Sequence, residues 1–214
     1  MANEVADYYR RRAPEYESIY FRPDEKRLYE LEDMARAMRD WLRGRDILEI
    51  AAGTGWWTVH GASVAKSMTA TDINEETLAI AKLKPLDHVR FEVADAFNLQ
   101  ALEGHFNGCL SCFWLSHVPR ARIPEFFQGV HRRLGAGSRV FMADNLYDPN
   151  VGGVLIEEPG SADTYKIRTW SDGSKHKILK NYFSETQLRG YLNGMQNVQV
   201  HFGPSYWWIQ YETA

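Results

Sequence analysis

The chain has only two cysteines in 214 residues, Cys109 and Cys112. That excludes a disulfide framework, and a tetrahedral zinc site would need two ligands more than the pair can give. Their C-x-x-C spacing lies in an apolar strand, where an offset of three turns the side chains to opposite faces, so both read as core. No run approaches 18 consecutive apolar residues, so no transmembrane helix is expected. The opening "MANEVADYYRRRAPEYES" is charged and lacks an apolar core, so no secretory signal is expected and a cytoplasmic location follows. Basic charge is in no excess: the net charge is −3, which disfavours a general nucleic-acid binder.

What remains is an ordinary globular composition, 44% hydrophobic and 25% charged, with seven tryptophans and eleven tyrosines that suit a core or an organic ligand pocket. A single domain over 1–214 of this length buries roughly 70% of its unfolded surface. The hydrophobic pattern alternates between strand and helix. "DILEI" (46–50), "SMTATD" (67–72), "HVRFEVAD" (88–95), "GCLSCFWL" (108–115) and "SRVFMAD" (138–144) read as buried strands. "WWTVHGASVAK", "NEETLAIAKL" and "IPEFFQGVHRRL" read as the helices between them, the second capped by Asn74 and the third closed by Gly135. That rhythm predicts βαβ units and a mostly parallel sheet covered on both faces.

The pattern changes after residue 145. "TYKIRTW-SDGS-KHKILKNYF" centres Asp-Gly between alternating segments, which predicts a hairpin with Ile167 opposite Ile178 and Thr169 opposite His176. A Ser184 cap with Gln187 then opens a helix, and two strands close the chain. The chain thus divides into an N-terminal helical cap (1–43), a core (44–145), an inserted hairpin (146–183) and a final helix with two strands (184–214). Leu28, Leu31, Met34, Met38 and Leu42 form the expected core-facing stripe of the cap.

The most informative stretch is "RDILEIAAGTGWWTVHGA". A strand that runs into a glycine turn and then a helix presents backbone N–H groups and lets a ligand approach the main chain. Gly53 and Gly55 supply two glycines of the dinucleotide pattern, but Thr58 stands where the third belongs. Glu49, four residues before Gly53, would repel a pyrophosphate and attract an amine. Asp72 ends the next strand, where a carboxylate can hold ribose hydroxyls, and Asp95 ends the third. A nicotinamide-dependent oxidoreductase is disfavoured by Glu49 and the missing glycine.

"ILEIAAGTG", "ATDIN" and "VADAF" together resemble the class I S-adenosylmethionine-dependent methyltransferases. The resemblance implies a seven-stranded Rossmann-like sheet, mostly parallel with its last strand antiparallel, carrying an inserted β-hairpin after strand 5. It implies S-adenosylmethionine as cofactor and S-adenosylhomocysteine as product. Glu49, Ala51, Gly53 and Gly55 would line the methionine part, Asp72 and Ile73 the ribose, Asp95 and Ala96 the adenine. Tyr16, with Tyr9 and Arg12, lies in a segment similar to the family's covering helix, and Phe113 would border the adenosine. At least one of Trp56 and Trp57 is expected in the core, with the other a candidate wall for the cofactor.

Methyl transfer from a sulfonium needs alignment above all, with the removal of one proton at most. His117, after the fourth strand, is the candidate base. Trp114, Asn145, Tyr147, Arg168 and His176 are the candidates for the acceptor side, and the basic hairpin would fit a carboxylated or phosphorylated group. Asp144-Asn145 resembles the metal-holding pair of catechol-type methyltransferases, but "CFWLSHVP" lacks the further carboxylate, so no metal is expected. The expected activity is methylation of an O or N atom of a small aromatic or heteroaromatic molecule, by a monomer or homodimer with no nucleic-acid or membrane partner. A non-methylating protein that binds the same cofactor is the alternative.

Overall fold

The structure, a computed structural model, describes residues 8–11, 17, 24–151, 153–169 and 173–214. Five strands, β1 (Asp46–Ile50), β2 (Ser67–Asp72), β3 (Val89–Val93), β4 (Gly108–Cys112) and β5 (Arg139–Asn145), pair in parallel. The late strands β9 (Gln196–Phe202) and β10 (Tyr206–Glu212) complete a seven-stranded sheet of order β3-β2-β1-β4-β5-β10-β9. β10 lies antiparallel to both of its neighbours.

Helices α1 (Glu25–Leu42), α2 (Trp56–Ala62), α3 (Glu75–Ala81), α4 (Ile123–Leu134) and α5 (Glu185–Tyr191) cover the sheet. Successive strand residues point to opposite faces, so adjacent side chains enter different cores. Ile47 and Leu110 pack with Met34, Met38 and Leu42 of α1, whereas Leu48 and Cys109 pack with Phe126 and Val130 of α4. Cys109 and Cys112 accordingly fall in opposite layers, both as free buried thiols. Ser184 caps α5 with the reciprocal Gln187 bonds of a capping box.

Two expectations about the cap and the insert need correction. Leu28 is 43% exposed, and the buried face of α1 runs instead through Glu30, Met34, Ala35, Met38 and Leu42. Glu30 is buried because its carboxylate accepts from the Ser205 and Tyr206 amides, at 3.0 to 3.1 Å. Hydrophobicity alone could not reveal that acid, whose partners lie 175 residues away.

The inserted hairpin forms, but as part of a three-stranded sheet: β6 (Leu155–Glu157), β7 (Thr164–Thr169) and β8 (Lys175–Leu179). Its register differs by one from the expected pairing, with Ile167 opposite Lys177, Arg168 opposite His176 and Thr169 opposite Lys175. Thr169 and Lys175 are the last described pair, where the expected pairing would carry the strands on to a two-residue turn. A slip of one exchanges faces. His176 and Ile178 join the face of Lys166 and Arg168 rather than that of Tyr165. Among the described residues, no helix is long and apolar enough to cross a membrane.

Candidate active site

Strand order reverses at β1 and β4, and a crevice opens beyond the carboxyl ends of the strands there. One cavity occupies it. Of the residues singled out by sequence, Glu49, Ala51, Gly53, Asp72, Ile73, Asp95, Ala96, Phe113, Trp114 and His117 all line it. Trp56 and Trp57 line it too, with Trp57 buried in the core behind.

The turn after β1 explains the small residues. Ala51 has φ 57° and Gly53 φ 57°, both left-handed, so the chain doubles back twice within three residues. A Cβ at Gly53 would meet nothing within 4 Å, because that side faces the cavity. Gly55, the N-cap of α2 at φ 83°, has another reason: a Cβ there would stand 2.9 Å from the Ala81 Cβ. Gly55 thus lets α2 pass α3 and lies outside the cavity lining.

Three acids stand at the strand ends in different states. Glu49 is 2% exposed and receives the Thr58 hydroxyl at 2.6 Å, which is why threonine occupies the third-glycine position. Burial raises its carboxyl to about 8, against that hydrogen bond and with help from Asp72. Asp72 accepts from Gly53 N and Asn74 N, each at 2.9 Å, which ties the first turn to the second. Burial lifts its pKa also, opposed by those amides. Asp95 is exposed and accepts from Phe97 N at 2.8 Å, holding its own loop. The cavity floor thus offers buried acidic groups to a cationic ligand, and Trp114 adds a buried indole N–H with no acceptor among the described residues.

The N-terminal segment closes over this region. Thr54 and Lys84 both donate to the Glu17 carboxylate, at 2.9 and 2.6 Å. Tyr9 lines the cavity and its hydroxyl meets His117 Nε2 at 2.8 Å. Tyr16 and Arg12, also expected here, lie outside the described residues.

His117 is buried on a short 3-10 turn (Leu115–His117), with its Nδ1 2.7 Å from the Leu179 carbonyl. Burial, reinforced by the Lys180 ammonium, pushes its basicity down to about 3. The ring is therefore neutral near neutral pH and makes hydrogen bonds there, where the sequence suggested a proton acceptor. Behind it, Lys180 donates to Asp144 Oδ1 at 2.9 Å and to the Ser116 hydroxyl at 2.6 Å. Burial raises the Asp144 carboxyl, but the Lys180 charge and hydrogen bond, with the Ser116 amide and the neighbouring His117, together outweigh it and keep it below the usual range. Asn145 donates to the same carboxylate, through its backbone N–H at 2.8 Å and its side-chain amide at 3.1 Å. Among the described residues, no three His, Cys, Asp or Glu side chains converge as a metal site would require.

The remaining acceptor-side candidates do not line the cavity but surround its far wall. Lys166 is fully buried, bonding the Val151 and Gly153 carbonyls with its ammonium 4.8 Å from the centre of the Tyr147 ring. Tyr147 packs edge-on against Tyr182 at 5.2 Å. Arg168 forms no hydrogen bond or ion pair with any described residue, yet its charge depresses the basicity of His117, Lys166 and Lys180. His176 hydrogen-bonds Ser174 at 2.9 Å. Sequence reasoning missed Arg122, Pro119 and Leu179 in the lining. Of these, Arg122 had a signal in its spacing to Glu125, which it grips with two bonds of 2.9 Å while lying over the Phe97 ring.

The chain is similar to known methyltransferases. Residues 47–137 match a family described as "Methyltransferase domain". The DhpI–SAH complex resembles the whole chain with a TM-score of 0.78 at 27% identity, covering 100% of this chain and 97% of that one. The DhpI–SAM–HEP complex gives 0.76 at 28% identity, covering 96% and 94%. Magnesium protoporphyrin IX methyltransferase (ChlM) from Synechocystis PCC 6803 shares the fold, with a TM-score of 0.68 at 11% identity over 100% and 97%. No curated protein sequence matches the chain. With a methyltransferase domain matched over residues 47–137 and similar chains solved with SAH and SAM, the chain is an S-adenosylmethionine-dependent methyltransferase.

Proposed function

We propose that the enzyme methylates an oxygen of a small molecule that carries an anionic group. The observation that carries this reading is the charge balance at the far wall. Lys166, Arg168 and Lys180 gather there, Lys180 is matched by Asp144, and Arg168 has no carboxylate partner among the described residues. Lys166 is buried with no carboxylate partner among the described residues and Arg168 beside it is half-buried, so this excess of positive charge favours an incoming oxyanion. The similar DhpI complex with SAM and HEP contains a second small molecule beside the cofactor, which is compatible with this reading.

The chemistry fits. The cofactor, when bound, supplies a methyl group activated by a sulfonium charge. Glu49, Gly53, Asp72, Ile73, Asp95, Ala96 and Phe113 would hold it, with the buried acids matching its ammonium and ribose hydroxyls. An anionic oxygen is already a nucleophile, so no base is needed, which suits a His117 that stays neutral. Arg168 would orient the oxyanion by a charge-assisted contact, and alignment would do most of the work. Tyr9 and Trp114 would exclude water. The reading covers 1–214 as one cytoplasmic unit, monomer or homodimer, acting without a metal, a nucleic acid or a membrane.

A flat aromatic or heteroaromatic acceptor is the second reading, favoured by the aromatic surface of Trp114, Tyr147 and Tyr182. Labelled methyl transfer to a panel of small phosphonates, phosphate esters and carboxylates, set beside neutral phenols and heteroaromatic amines, separates the two. Label in anionic acceptors alone supports the first. Label in neutral rings alone overturns it.

A further inference from the structure

Among the described residues, Arg122 is the only lysine or arginine in the cavity lining. It is the N-cap of α4, and local contacts fix its guanidinium. Glu125, one turn on, takes the Nε and Nη2 edge with two bonds of 2.9 Å. The Phe97 ring covers one face, its centre 3.6 Å from the guanidinium carbon, and Phe126 braces Phe97 edge-on at 6.1 Å. What remains for the cavity is the other face and Nη1, whose N–H groups have no acceptor among the described residues. Asp95 lies close by: the Glu125 hydrogen bonds, and then the Glu125 and Asp95 charges, hold the guanidinium above its ordinary basicity. The Phe97 amide engages one Asp95 oxygen, which leaves the other as an acceptor. A donor and an acceptor thus stand side by side at this end. Adenine carries the complementary pair, because its 6-amino group donates and N1 and N7, on either side of it, accept.

We propose that Arg122 is a specificity-determining residue for the base of the cofactor, donating from Nη1 to N1 or N7 of the adenine. Glu125 and Phe97 are positioning residues that act through it, one holding the edge of the guanidinium and the other its face. No proton is transferred in this role. A purine that lacks the engaged ring nitrogen leaves the Arg122 donor unmatched and binds less tightly. The role rests on the placement of adenine beside Asp95 and Ala96 proposed above, with Asp95 accepting from the 6-amino group.

Four ligands test this by calorimetry: S-adenosylhomocysteine, its 1-deaza and 7-deaza analogues, and S-inosylhomocysteine, whose base has an oxygen in place of the 6-amino group. Each is titrated into wild type, Arg122→Leu and Asp95→Ala. Wild type is expected to bind one deaza analogue about tenfold more weakly than S-adenosylhomocysteine, the value of one hydrogen bond from a charged, half-exposed donor. Arg122→Leu should bind S-adenosylhomocysteine about tenfold more weakly and no longer distinguish it from that analogue. If wild type binds both deaza analogues as well as S-adenosylhomocysteine, or if every penalty survives in Arg122→Leu, the proposal is overturned. S-inosylhomocysteine tells that failure from a misplaced base. A preference for adenine that disappears in Asp95→Ala upholds the placement, so an unchanged Arg122→Leu pattern then overturns the role of Arg122 alone. A preference untouched by Asp95→Ala removes the base from this end, and the role of Arg122 with it.

Discussion

At the end of the cavity formed by β1, β2 and β3, the ligand-facing groups are backbone turns and short acids that stabilise one another across adjacent strands. At the other end, beside the 146–183 segment, long cations from β7 and from the loop after β8 stand behind the lining. The first end is set by covalent spacing: Glu49, Gly53 and Asp72 meet because each stands where its strand stops. The second end is set by burial. Lys166 and Lys180 look like solvated hairpin lysines in the sequence, and only the packed insert takes them out of water. The difference separates a half whose ligand chemistry is common to the fold from a half that belongs to this chain.

Breaking the second half should cost the most. Lys180→Ala leaves the Asp144 carboxylate buried without its cation, and about 3–5 kcal/mol of stability should be lost in denaturant titration. A loss below about 1 kcal/mol would mean that the ion pair does not hold this wall. Arg168→Ala removes a cation that no described residue engages, so stability should hardly change. Acceptor KM should instead rise about 30- to 150-fold, equivalent to about 2–3 kcal/mol, with S-adenosylhomocysteine affinity unaffected.

The first half should announce itself through pH. The Glu49 carboxyl is raised from its ordinary 4.5 to about 8, so the folded state holds a proton that the unfolded state has released. Its stabilising contribution is complete below about 4.5 and is lost as pH rises to about 8. Below 6.5 the neutral, buried His117 works in the opposite sense, because the unfolded chain gains a proton there and the folded chain does not. Between pH 6.5 and 8, ligand-free protein should therefore lose up to about 2 kcal/mol, at a limit of about 1.4 kcal/mol per pH unit. Glu49→Gln should flatten most of that slope. A slope that persists in full would remove Glu49 from the account.

Asp72→Asn is a smaller probe of the same half. It should weaken S-adenosylhomocysteine by about 1–2 kcal/mol and leave acceptor KM alone. Leu28→Ser should do least, within about 0.5 kcal/mol, because that side chain is 43% exposed although its spacing suggested core.

These contrasts also explain what was legible in the sequence. Strand and helix periodicity gave the parallel strands, and the acids at three strand ends marked the crevice, since both depend on local spacing. Tyr9 against His117, Glu30 beneath the β9–β10 turn and the Lys180–Asp144 pair depend on contacts between distant segments, which no local pattern encodes. The hairpin was visible from Asp-Gly, but its register was not, because Asp-Gly marks where the chain turns and not which residues pair across it. The strength of the shift at His117 was hidden for the same reason: it comes from burial and from Lys180, not from neighbours in the chain.

The most direct test of the account is calorimetric titration of the purified protein with S-adenosylmethionine, S-adenosylhomocysteine and NADH in parallel. The account predicts micromolar binding of both adenosyl ligands and none of NADH. Binding of NADH alone would contradict the assignment of Glu49 and Asp72 and leave only the fold.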